Sequence, residues 1–218
     1  MRDNAQYSKM KKYYLLLLLG SFWHTTITQN HRAADSTLLE EISQRSFQAA
    51  FTCHSRPSQG LLGEVWEGQI AIQDNKYRFT LPEQEVISDG QTVWTHLKTA
   101  NEVHITDHDP EQMATAPWTV LIDYRQDYVI DSLHTQQTDG QACDVVDLVA
   151  RDEEDFLQKI TLTIERTKKH IKRLEILDIN QNLHVFFMTY FVYDVRFGKS
   201  FFNFDTNEYQ GIEIIDMR

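Results

Sequence analysis

His104-Ile105-Thr106-Asp107-His108-Asp109 is the densest run of proton- and metal-handling side chains in the sequence. Imidazole and carboxylate together are zinc ligands or the base of a hydrolase. Two histidines four apart are adjacent only on a helix, where they sit one turn apart; on a strand they share a face but stand about 13 Å apart, and His104 falls in a period-two strand pattern. A metal site also needs three or four converging ligands. Solvated turn histidines are therefore the expectation, with no metal and no cofactor. Trp66-Glu67-Gly68 sets a lone carboxylate beside an indole, but without a second acid Glu67 reads as an outward strand residue. Glu153-Glu154-Asp155 is a charge run of the kind that forms a solvated turn. Gly-x-Ser-x-Gly, His-Glu-x-x-His and phosphate-loop patterns do not occur. The residues predict a protein that is not an enzyme.

The elements that must position these residues are mostly strands. Phe47, Ala49, Phe51 and Cys53 alternate with polar or small residues, as a half-buried strand does. Glu64 to Gln73 and Tyr77 to Leu81 repeat the pattern around the turn Asp74-Asn75-Lys76. Val86 to Ser88 and Thr92 to Leu97 flank Asp89-Gly90, a strong hairpin signal. Glu102 to Thr106 follows after Thr99-Ala100-Asn101. Strands resume at Ala142 to Val149, Ile160 to Glu165, Ile171 to Asp178 and a long Leu183 to Phe197. Ser200 to Phe204 and Gly211 to Met217 close the chain.

Helical spacing appears twice. Thr37 and Glu40 have capping-box spacing, and Leu38, Leu39 and Ile42 fall on one side of about three turns ending near Arg45. Trp118, Leu121, Ile122 and Tyr124-Arg125 form an amphipathic stretch after Asp107 to Pro110. The predicted architecture is one domain: a large antiparallel sheet curled into an unclosed barrel, with a few helices. In Leu183 to Phe197, strict alternation puts Phe187 and Phe191 on one face and Phe186 and Met188 on the other. A strand apolar on both faces is covered on both, or faces a cavity.

Residues 1–30 have the layout of an export signal: Lys9, Lys11 and Lys12 precede Leu15 to Leu19. An Ala-x-Ala cleavage site is absent, and residues 31–218 form the predicted domain. The full chain carries 21 basic and 32 acidic residues, a net charge of −11. Such a surface repels nucleic acid and anionic membrane surfaces. Arg166 to Arg173 is the basic exception and reads as a charged hairpin turn. Cys53 and Cys143 allow one bridge or two buried thiols.

Gly68 to Ile105, "GQIAIQDNKYRFTLPEQEVISDGQTVWTHLKTANEVHI", resembles the LolA family of periplasmic lipoprotein carriers. Ser88-Asp89-Gly90 and Trp94 match the family pattern in order and spacing. Phe201 to Arg218, "FFNFDTNEYQGIEIIDMR", is similar to the family's ending. The resemblance implies an unclosed, strongly curved antiparallel half-barrel with α-helices forming a lid over its apolar face. It also implies a monomer in the periplasm that takes acylated lipoproteins from an inner-membrane releasing transporter and hands them to an outer-membrane acceptor. Its acyl-binding lining would comprise Phe47, Phe51, Ile70, Ile72, Phe79, Leu81, Trp94, Val103, Ile105, Phe187 and Phe191. Leu38, Leu39, Ile42, Trp118, Leu121 and Ile122 would belong to the lid. Some members carry an Arg-Pro pair after the second strand, where the Arg holds the lid shut. Asp74-Asn75-Lys76 stands there instead, and Arg78, of opposite parity to Tyr77 and Phe79, is expected to point outward. The alternative function is a lipid- or envelope-stress-sensing regulatory module on the same fold.

Overall fold

Two turns that touch each other set the register of the first half of the sheet. Asp89 Oδ1 accepts from the backbone N–H of Gln91 at 2.9 Å and of Thr92 at 2.8 Å. Gly90 adopts φ +89°, and a Cβ there would lie 2.4 Å from the Asn75 side chain. Only glycine meets both demands. The Ser88-Asp89-Gly90 signature is thus a turn-building device.

The computed structural model describes residues 37–59, 63–108, 122 and 124–218. Its strands are β1 (Phe47–Arg56), β2 (Val65–Gln73), β3 (Lys76–Thr80), β4 (Gln84–Ser88), β5 (Thr92–Leu97) and β6 (Glu102–Asp107). The second half contributes β7 (Tyr128–Thr138), β8 (Gln141–Ala150), β9 (Leu157–Glu165), β10 (Ile171–Asp178), β11 (Leu183–Tyr193) and β12 (Glu213–Asp216). They make one sheet in the order β12-β6-β5-β4-β3-β2-β1-β11-β10-β9-β8-β7. Two antiparallel meanders join where β1 pairs β11, and β12 adds a parallel strand beside β6. The sheet does not close, so the result is an open half-barrel.

Helix α1 covers residues 37–43 among those described, about two turns. Leu38, Leu39 and Ile42 are buried in the main hydrophobic cluster with Phe47, Phe51, Ile70, Ile72 and Phe79. α1 therefore rests on one face of the sheet, here called the inner face. Ile122 and Tyr124 pack against the same cluster. Trp118 and Leu121 lie outside the described residues, as does the segment 1–30 read above as an export signal. A lid made of several helices is thus reduced, among the described residues, to α1 and the neighbourhood of Tyr124.

Two expectations change. β7 forms where the alternation fades: its second half, His134-Thr135-Gln136-Gln137, is exposed on both faces, as an edge strand can be. β11 ends at Tyr193 and carries a bulge. Ala50 pairs with Tyr190 and Phe51 with Met188, leaving Thr189 unpaired. Of the Arg166–Arg173 block, Arg166 to His170 form the β9–β10 turn, with Lys169 at φ +60°, while Ile171 to Arg173 open β10.

Candidate functional site

The inner face is built from cross-strand rows. One runs Phe191, Ala49, Ile70, Phe79, Val86. A second runs Tyr193, Phe47, Ile72, Tyr77. A third joins Met188, Phe51 and Gly68, the last of which leaves room for the Phe51 ring. A Cβ on Gly68 would fall 2.6 Å from that ring and 2.8 Å from the Thr80 carbonyl oxygen. The aromatics contact one another directly: Phe51 stacks on Phe79 at 5.6 Å between centroids, and Phe47 on Phe191 at 4.9 Å. Trp66 closes edge-on over Phe51 at 5.7 Å. Leu162, Val146 and Leu174 carry the same face across β8 to β10.

The register places the other proposed lining residues elsewhere. Ile87 pairs with Trp94, and Trp94 with Ile105, in the row that begins at Arg78. That row is one residue out of phase with Phe79, so Trp94 and Ile105 lie on the outer face. Val103 belongs to the same outer cluster, with Ile87, Ile105 and Phe204. The row from Phe79 instead reaches Thr95 and His104, with Val93 and Leu97 flanking Thr95 on the same face of β5. Reading Trp94, Val103 and Ile105 as one wall with Ile70 and Phe79 is therefore corrected. The turn residues between runs shift the parity that alternation alone extrapolates.

Phe187 is corrected for a different reason. The bulge at Thr189 flips parity midway along β11, so Phe186 and Met188 share the inner face with Phe191 and Tyr193. Phe187 points outward, 41% exposed, against His54 and under the Arg173 guanidinium. Phe47, Phe51, Ile70, Ile72, Phe79 and Phe191 come together on the inner face, and Leu81 packs at its margin. Sequence reasoning missed Trp66, Met188 and Phe186. Trp66 shares the phase of Ile70 and Ile72, which was the available signal.

The outer face carries its own cover. Arg78 lies opposite Tyr77 and Phe79 in phase, as expected, but it is not simply solvated. Its guanidinium donates to both Glu85 carboxylate oxygens, at 2.9 and 3.0 Å, and to the Phe201 carbonyl at 3.2 Å. These bonds hold the Glu85 carboxyl below its ordinary range although burial pushes it the other way. Phe204 and Tyr209 stack at 4.5 Å and both press on the His96 ring.

The candidate catalytic and redox residues are dispersed. His104 Nε2 sits 3.4 Å from Glu102 on its own strand, while His108 Nδ1 faces Ser88 Oγ at 3.3 Å. Cys53 and Cys143 are both free and buried. Four strand steps separate β1 from β8, about 19 Å, far beyond disulfide reach. Burial pushes the Cys53 thiol up to about 12.

α1 is held by two ion pairs, one within it and one just after it. Arg45, just after it, pairs with Asp194 at the end of β11. Glu40, within it, pairs with Arg125 at 3.0 Å. Near Arg45 the chain is further pinned by Asp194 N–H donating to the Ser46 carbonyl at 2.7 Å.

An open antiparallel sheet, apolar on its inner face and with a helix seated there, defines a half-barrel scaffold that can shelter apolar material. The chain belongs to the family of the outer membrane lipoprotein carrier protein LolA, whose model matches residues 64–176. A conserved, uncharacterised protein from Thermus thermophilus has a similar structure. It is 12% identical, with a TM-score of 0.55 over 84% of this chain and 98% of that one. A LolA superfamily protein from Nitrosomonas europaea aligns at 13% identity, 78% and 98% coverage and a TM-score of 0.46. The Pseudomonas aeruginosa MucA/MucB complex aligns at 14% identity, 79% and 62% coverage and a TM-score of 0.46. No curated protein matches the chain by sequence.

Proposed function

We propose that this protein is a periplasmic carrier that holds the acyl chains of lipoproteins against its inner face on their way from the inner to the outer membrane. The observation that carries the reading is the joint burial of α1 and the aromatic rows in one cluster. Among the described residues the face is covered by α1 and by its own aromatic side chains, so cargo there replaces part of that cover. Leu38, Leu39 and Ile42 are the side chains whose departure uncovers Phe47, Phe51 and Phe79. Re-exposing three such residues costs about 5–9 kcal/mol, whereas burying about sixteen methylenes returns about 13 kcal/mol. Relative to a chain exposed to water the exchange is favourable through hydrophobic transfer alone and needs neither catalysis nor a cofactor; withdrawing the chain from the bilayer is the work of the releasing transporter. Family membership supports the same cargo class, and the lysine-flanked leucine run supports export.

The test is release of an acylated lipoprotein from inner-membrane vesicles carrying its releasing transporter. The purified protein should bring the lipoprotein into a soluble one-to-one complex. Cargo that stays on the membrane, together with native mass spectra showing no acyl adduct on the protein, would overturn the proposal.

A further inference from the structure

A cleft of about 490 Å³ opens where β7 meets the end of β8, and its wall is unlike the rest of this acidic chain. Arg125 and Arg151 both line it. Tyr124, Tyr128 and Ile130 form its apolar side and also pack into the inner-face cluster. The cleft is thus continuous with the face that α1 covers. The Tyr128 hydroxyl donates to the Leu157 carbonyl at 3.2 Å, so that ring presents only carbon.

The two guanidiniums are not equivalent. Arg125 is paired with Glu40 at 3.0 Å. Arg151 is anchored through backbone contacts, its N–H donating to the Asp127 carbonyl at 2.8 Å and its Nε to the Arg125 carbonyl at 3.3 Å. Among the described residues Arg151 forms no salt bridge, and its two terminal nitrogens remain for a ligand. One carboxylate shares the wall: Asp131, the bulged residue of β7. A fixed guanidinium fork beside an apolar channel matches a phosphate oxygen pair attached to an acyl chain.

We infer that this cleft is a headgroup subsite for anionic amphiphiles, with Arg151 holding a phosphate while the acyl chain enters under α1. The inference rests on the inner face being an acyl site, and it extends the ligands of that face from lipoprotein acyl chains to phosphate-bearing lipids. Myristoyl lysophosphatidylglycerol, monomyristoylglycerol and glycerol 3-phosphate separate the contributions of chain and phosphate.

Titrated into the full chain without its export segment and followed by calorimetry, the lysophospholipid should bind about tenfold tighter than the monoglyceride. Arg151→Gln should bring the two within about twofold, and Asp131→Asn should widen the gap. Thermal melts of both variants establish that they fold. A preference unchanged by Arg151→Gln overturns the headgroup assignment alone, leaving the acyl site intact. Glycerol 3-phosphate binding as tightly as the lysophospholipid would also overturn it, as a site for free phosphate. Failure of both amphiphiles to bind overturns the acyl reading and this inference with it.

Discussion

Arg45 and Asp194 meet in a two-point contact across the molecule: Nη2 lies 2.6 Å from Oδ2 and Nε 3.3 Å from Oδ1. The guanidinium also stands 3.9 Å above the Tyr193 ring. Asp194 holds a left-handed backbone, φ +57°, that turns its carboxylate toward the exit of α1. The contact joins the helix to β11, whose Phe191 and Tyr193 line the inner face.

Losing this clasp should loosen α1 without melting the sheet. In Arg45→Gln, amide exchange over residues 38–43 should quicken while β9 and β10 stay protected. The pair also has a pH signature. Its hydrogen bond from Arg45 holds the Asp194 carboxyl below the ordinary 3.8. A depressed acid stabilises above its unfolded pKa and loses that contribution as pH falls through the folded value. The stability difference between wild type and Asp194→Asn should therefore be present at pH 7 and fade well below pH 3.8 in paired thermal melts.

Gly68→Ala should destabilise the fold by about 1–3 kcal/mol, because the new methyl meets the Thr80 backbone as well as the Phe51 ring. Urea denaturation reads this directly. Gly140→Ala, where no atom lies within 4 Å, is the comparison for backbone strain alone at φ +75°.

The phase of Phe79 and Trp94 can be read by fluorescence. With Trp23 and Trp118 replaced by Phe, two indoles remain: Trp66 within the inner cluster and Trp94 in the outer one. A brominated acyl probe should quench Trp66 and leave Trp94 unaffected. Quenching of Trp94 in a Trp66→Phe background would return it to the acyl wall.

His96 should make stability pH-dependent. The ring is buried edge-on against the stacked Phe204 and Tyr209, its Nδ1 has no hydrogen-bond partner, and burial lowers its pKa below 6.5. Glu85 opposes that shift and Lys98 reinforces it. A base depressed in the folded state binds protons more readily when unfolded, so stability is present above pH 6.5 and falls as pH drops below it. His96→Phe should flatten the melting temperature between about pH 7.5 and about pH 5.5. His170, also lowered chiefly by burial, leaves a residual slope.

The strand sequence and the open sheet were legible because alternation and Gly- or Asn-bearing turns are local signals. Phe47, Phe51, Ile70, Ile72 and Phe79 share one face because β1 to β3 run without a parity break. Trp94 and Ile105 leave that face, because a face is a cross-strand property and the stretch between Leu81 and Val86 resets the phase. Phe187 escaped through a single unpaired residue, Thr189, which carries no compositional mark. β7 was missed because an edge strand need not be apolar on either side. The Arg45–Asp194 clasp joins residues 149 apart and has no sequence signature.

β12 pairs with β6 in parallel, Glu213 beside Glu102 and Asp216 beside Ile105. A strand from more than a hundred residues downstream thus supplies the missing neighbour of the first meander. Until residues 213–216 have been synthesised, the outer edge of β6 has no partner from them, and Ile87 and Trp94 lack the cover of Phe204. β6 is thus complete at Asp107, long before its parallel cover at Glu213–Asp216, and through that interval its outer edge is an open template for pairing with another chain.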